Sequence, residues 1–145
     1  MEILFEILLM NLDKYDLETI KKDITTCKDL VDQGADWDKK NKLKIFEGVY
    51  CMLTRDFKKA AELFLSNVAT FTCTELMDYN DFIFYTIIMA MVTQDRATLK
   101  KKIIDSADVK SVINDIKHAP EFSQSFYHCK YEDFFRSFVN IIDRI

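Results

Sequence analysis

Glycine and proline are almost missing from this chain: its 145 residues hold two glycines and one proline. An average protein carries roughly 7% and 5% of them. All-β sandwiches and barrels turn their strands with Gly, Asn-Gly or Pro, so those folds are excluded. Gly34 and Gly48 stand too far apart to cradle a phosphate, which removes dinucleotide-binding and P-loop folds. There is no surplus of basic charge. The net charge is −4, and binding a nucleic acid requires a basic face. The four cysteines, Cys27, Cys51, Cys73 and Cys129, form no CxxC pair. Each reads as a small hydrophobe in a reducing compartment. There is no membrane-length apolar run either. The apolar start contains Glu2 and Glu6, lacks a basic region and a small-residue cleavage site, and is too short to span a bilayer. It reads as a buried or interface helix of a soluble protein.

What is present is helical periodicity. Hydrophobic residues make up 49% of the chain and recur at helical spacing. Asp16 caps a stripe of Leu17, Ile20, Ile24, Cys27 and Val31, with Gly34 just past its end. Asp36 caps the next, with Leu43, Phe46, Val49, Tyr50 and Leu53 inward. After a turn at Arg55-Asp56, Phe57, Ala60, Ala61, Phe64, Leu65 and Val68 form a third. A break covers 70–78. Residues 82–92, apolar on every side, predict the most buried helix. Asp95 starts a helix with Leu99 and Ile103. Ser106 caps one with Val109, Val112, Ile113 and Ile116. Pro120 opens another with Phe122 and Phe126. Phe134, Phe135, Phe138, Val139 and Ile142 mark the last. Short connections make neighbours antiparallel. The expectation is an all-α chain of about nine helices in one unit spanning 1–145, its hairpins stacked as an α-solenoid, with a globular bundle as the alternative.

An internal echo favours the solenoid. Tyr50 with Asp56-Phe57 matches Tyr127 with Asp133-Phe134, 77 positions on, or two units of hairpin-repeat length. The tetratricopeptide pattern is met in part. With Gly48 at the small position of helix A, Ala60 and Phe64 fall on the Ala and Phe of helix B. Lys44 and Glu47 occupy the helix-A positions of Trp and Leu. The chain is tetratricopeptide-like.

Catalytic constellations are missing. His128 and Cys129 are neighbours on a helix and project about 100° apart. His118 sits at a helix boundary. Asp36-Trp37-Asp38 reads as a cap, a first-turn acid beside the positive helix end, and a Trp packed on the preceding hairpin. No enzyme activity, metal or cofactor is expected. Lys39, Lys40, Lys42 and Lys44 form one basic cluster, and Lys100, Lys101 and Lys102 another. Both read first as solvated helix faces.

The run Gly34-Ala35-Asp36-Trp37-Asp38-Lys39-Lys40-Asn41-Lys42-Leu43-Lys44 is more specific than any of these. Gly48-Val49-Tyr50-Cys51, Arg55-Asp56-Phe57-Lys58-Lys59-Ala60-Ala61 with Phe64, and Glu75-Leu76-Met77-Asp78-Tyr79 continue it in register. Tyr127-His128-Cys129-Lys130-Tyr131 and Phe134-Phe135 with Ser137 follow. Together they resemble the non-ATPase regulatory subunit 6 family of the 26S proteasome, PCI-domain subunits of the regulatory-particle lid. A second relative, COP9 signalosome subunit 1, shares the Arg-Asp-Phe-Lys-x-Ala-Ala pattern. The intact Glu-Leu-Met-Asp-Tyr run favours the proteasome family.

The resemblance implies a non-catalytic scaffold of the lid, in cytoplasm and nucleus, acting in ubiquitin-dependent degradation. It implies other lid subunits as partners, with no nucleic acid or membrane. The family's winged helix would lie past the chain's last residue, so this sequence matches the family's helical-repeat part alone. Asp36, Trp37, Asp38, Gly48, Tyr50, Arg55, Asp56, Phe57, Ala60, Phe64 and Glu75 through Tyr79 are its structural motif. Lys39, Lys40, Lys42, Lys44, Lys58 and Lys59 are the candidate interaction surface. The apolar first and last helices are expected to leave open faces through which the chain self-associates. A generic repeat adaptor binding peptides in a groove is the other reading.

Overall fold

A computed structural model describes residues 2–34 and 36–144. Met1, Ala35 and Ile145 lie outside the described residues, Ala35 within the family-like run. The described residues form nine α-helices and no strand, as an all-helical repeat fragment should. They divide into two compact units, Met1–Asp78 and Tyr79–Ile145.

The first unit holds α1 (Glu2–Asp13), α2 (Leu17–Asp32), α3 (Trp37–Leu53) and α4 (Phe57–Leu65), then a 3-10 turn at Val68–Thr70. Each helix packs on the next. The Asp16 carboxylate accepts from the Thr19 N–H at 3.1 Å and starts α2, whose Ile20, Ile24, Cys27 and Val31 are buried. Gly34, at φ +120°, ends it in a conformation that only glycine adopts freely. Helix α3 is buried on more than one side, through Leu43, Ile45, Phe46, Glu47, Gly48, Val49 and Cys51, because α2 and α4 flank it. Phe5 of α1 also stacks on Phe46, with centroids 5.4 Å apart.

The start of α3 departs from expectation. Asp36 holds the N-cap position, yet its side chain caps no N–H; its carboxylate lies 3.6 Å from Lys39 Nζ instead. Trp37 is not packed on the preceding hairpin but 62% exposed. It shares a face with Lys40 and Lys44, also exposed.

The second unit begins with α5 (Tyr79–Thr93), buried along Phe82, Ile83, Phe84, Thr86, Ile87, Ile88, Met89 and Ala90. Val92, expected inside, is exposed. Asp95 caps α6 (Arg96–Leu99) through the N–H groups of Ala97 and Thr98, and a π-helical turn follows at Lys100–Ile104. Its three lysines are exposed. Ser106 caps α7 (Ala107–Ile113). Pro120 sits in the first turn of α8 (Ala119–Tyr127). Then come α9 (Tyr131–Ile141) and a 3-10 turn at Ile142–Arg144. Phe122 of α8 stacks on Phe134 of α9 at 4.9 Å.

Three connections share one geometry. Tyr15, Arg55 and Cys129 adopt left-handed φ of 54°, 62° and 57°. Each donates its N–H to the carbonyl three residues back, and the following residue donates to the carbonyl five back. This is the double hydrogen bond of a Schellman turn, made without glycine. The shared geometry also corrects the internal echo. Arg55 and Cys129 stand 74 positions apart, so the structural register is three short of the 77 read from Tyr50 and Tyr127. Gly48 then corresponds to Phe122, and Ala60 to Phe134. Where the first unit brings helices together with small residues, the second does so with stacked rings.

Candidate interaction surface

Glu47 organises the face of the first unit formed by α2, α3 and α4. Its side chain is only 10% exposed, and its Oε1 accepts from Lys28 Nζ and Lys59 Nζ at 2.7 Å each. Burial pushes the carboxyl upward, but the two lysine hydrogen bonds outweigh it and hold Glu47 below its ordinary range. One acid on α3 thus ties down one lysine from each neighbouring helix. Lys28 carried no signal in the sequence, since its partner lies 19 positions away.

The candidate lysines divide by what they touch. Lys42 forms an ion pair with Glu75, and its Nζ stands 4.8 Å over the Phe5 ring, so it fastens α1 and the 70–78 segment to α3. Lys59 serves Glu47, and Lys39 faces Asp36. Lys58 is exposed on α4. Lys40 and Lys44 stand outward on α3 one turn apart, and Lys44 Nζ lies 3.5 Å from Asn41 Oδ1. Asn41 is buried, and its Nδ2 has no partner among the described residues.

The motif residues are mostly scaffold. Ala60 and Phe64 are fully buried, and Phe64 lies against Gly48: a Cβ built there would come within 2.8 Å of the ring's Cδ1, and closer still to Cε1. Asp38 stands in the first turn of α3. Asp56 caps α4 through the Lys59 N–H, after Arg55 has made the left-handed turn. Tyr50, Phe57, Leu76 and Met77 are half-buried and Asp78 is exposed. Tyr79 opens α5 and stacks on Phe82.

In the second unit, Cys129 is exposed while Cys27, Cys51 and Cys73 are buried. Arg96 Nη1 donates to its Sγ at 3.4 Å, and the Arg96 guanidinium lies 4.8 Å over the Tyr127 ring. The Tyr131 hydroxyl and Arg96 together hold the Cys129 thiol below the ordinary range. Burial pushes Cys73 up to about 12 and raises Cys27 and Cys51. Thiolate reacts and thiol does not. Cys129 is therefore expected to label first with a maleimide at neutral pH, and the other three only after denaturant is added. Mass spectrometry of the native chain checks this; early labelling of a buried cysteine would contradict the packing. Sequence adjacency to His128 missed the real neighbour, Arg96, which is 33 positions away.

Two apolar stripes reach solvent: Ile3, Ile7 and Met10 on α1, and Phe135 and Val139 on α9 continuing to Ile142. Among the described residues, no group of three or more His, Cys, Asp or Glu is placed to hold a metal ion. No described helix is long and apolar enough to cross a membrane.

The chain is similar to known proteins along its whole length. A family model described as 26S proteasome subunit RPN7 matches residues 1–102. The chain is 42% identical over 145 residues to the 26S proteasome non-ATPase regulatory subunit 6 of Oryza sativa subsp. japonica, covering 100% of this chain and 37% of that protein. It is 41% identical to the protein of the same name from Dictyostelium discoideum, covering 100% of this chain and 38% of that one. The similarity extends to the 26S proteasome regulatory subunit RPN7 of Saccharomyces cerevisiae, 31% identical over 119 residues, 80% of this chain and 28% of the other. The chain thus spans about 28–38% of the length of these curated relatives.

Proposed function

Because the chain belongs to the 26S proteasome subunit RPN7 family, we propose that it is a non-catalytic scaffold segment of the proteasome regulatory-particle lid. The observation that carries this reading is identity of 41–42% along the whole chain to subunits named as regulatory and non-ATPase. The organisation of the fold supports it. Glu47 ties α2 and α4 to α3 through Lys28 and Lys59, and Lys42 ties the 70–78 segment to α3 through Glu75. Among the outward residues are lysines, one tryptophan and two apolar stripes, which suit protein contacts. The partners on this reading are other lid subunits, in cytoplasm and nucleus, contacted through Lys39, Lys40, Lys44 and Lys58 and through the open faces of α1 and α9. A second copy of the chain can cover the same open faces when neighbours are missing.

Affinity purification of the tagged protein from its own cells tests the assignment. Recovery of proteasome lid subunits is the expected result. Recovery of a cullin-deneddylating complex in their place would transfer the chain to the COP9 signalosome branch.

A further inference from the structure

The first two turns of α3 present a surface whose chemistry specifies a partner. Trp37, Lys40 and Lys44 follow one another at helical spacing and all face solvent. Neither Lys40 nor Lys44 has a carboxylate within ion-pair distance among the described residues. One turn further on, Lys28 and Lys59 flank the same helix at Glu47 and spend a single negative charge between them. The face is therefore locally positive in a chain of net charge −4. Such a local reversal of sign draws an oppositely charged group to one place.

We propose that this face docks an acidic protein segment, its carboxylates on Lys40 and Lys44 and an apolar side chain against the Trp37 indole. Three observations fix the occupant. The two ammonium groups, neither paired with a carboxylate among the described residues, call for carboxylates. An indole that is 62% exposed gains most from an aliphatic or aromatic neighbour, and tryptophan is enriched among residues that dominate protein interfaces. Asp36 and Asp38 sit on either side of Trp37. A continuous polyanion would be repelled there, whereas a protein segment can place carboxylates on the lysines and neutral groups by the acids. Lys44 Nζ lies 3.5 Å from Asn41 Oδ1, a neutral partner that leaves the ammonium charge uncompensated.

The proposal deepens the subunit-interface reading and can fail apart from it: lid recovery in cells with no binding at this face overturns the face alone. The chain has one tryptophan, so its own fluorescence reports on the site. The probe is a synthetic peptide of leucine and glutamate, titrated into the whole chain. A saturable blue shift is expected, weakening as salt is added. The double variant Lys40→Glu/Lys44→Glu, folded by circular dichroism, is expected to bind at least about tenfold more weakly. Calorimetry with Trp37→Ala should show weakened binding without relying on the emission. The proposal is overturned by no saturable shift, by unchanged affinity in the double variant, or by tighter binding of a single-stranded oligonucleotide or phosphatidylserine vesicles.

Discussion

Replacing Phe64 with alanine is expected to cost about 3–5 kcal/mol, the range for emptying a buried aromatic site. The ring is fully buried on α4 and lies against the backbone of α3 at Gly48. A whole domain is stable by only about 5–15 kcal/mol, so this one change removes a large share. The reciprocal substitution tests the same contact from the other side. In an open helix, Gly48→Ala would gain up to about 1 kcal/mol of helix propensity. Here the new methyl would overlap the Phe64 ring, and overpacking a core costs about 1–3 kcal/mol. Net destabilisation is expected. The combination Gly48→Ala/Phe64→Leu should lose less than the sum of the two single changes, because the smaller side chain vacates the space the methyl needs. Urea midpoints of wild type, Phe64→Ala, Gly48→Ala, Phe64→Leu and the double variant decide the matter. A neutral or stabilising Gly48→Ala would show that α3 and α4 do not approach there as described.

Glu47→Gln is the second change with a large expected effect, about 1–3 kcal/mol at neutral pH. It removes the charge from two charge-assisted hydrogen bonds. The loss stays below that of a fully buried pair because Lys28 and Lys59 keep 45% and 49% of their side-chain exposure and can turn to water. The pH dependence has a definite sign. Burial works to raise the Glu47 carboxyl, the lysines more than offset it, and the folded value lies below the reference of 4.5. The folded chain therefore resists protonation longer than the unfolded one. The stabilisation is complete above the unfolded value and disappears as pH falls through the depressed folded value. Wild type and Glu47→Gln should differ at neutral pH and converge in acid. Glu75 is lowered in the same way, burial again opposing and Lys42 prevailing, so the variant keeps part of the acid dependence. A constant gap between the two proteins down to about pH 3 would rule the linkage out.

The sequence made the local structure legible and left the long-range partners hidden. Asp16 and Ser106 were readable as caps and Asp95 as a helix start because capping is a matter of three residues; the Asp56 cap was read only as a turn, and Asp36, read as a cap, caps no N–H. The burial of α5 was readable because it is apolar all round. The role of Gly48 was readable as a small residue facing another helix. The exposure of Trp37 was not, since a large aromatic is usually covered and nothing local says which face a neighbouring helix leaves open. Nor was the destination of Lys42, whose partners Phe5 and Glu75 come from opposite ends of the first unit. The six candidate lysines look alike in a string of letters. Only packing separates those that hold the unit together from those that stand free.

The left-handed turns at Tyr15, Arg55 and Cys129 bear on how the chain reaches its fold. A side chain in that conformation stores roughly 1–2 kcal/mol of strain. A residue with a Cβ also explores fewer conformations than glycine before folding, so less freedom is lost when the turn forms. Each such turn is a stiff joint only a few residues long, between helices that contact each other directly. Contacts so close in sequence form early, because little loop must be closed to make them. Each hairpin can then assemble in place before more distant pairings. A glycine at any of the three joints would relax the strain, slacken the joint and slow that first local step.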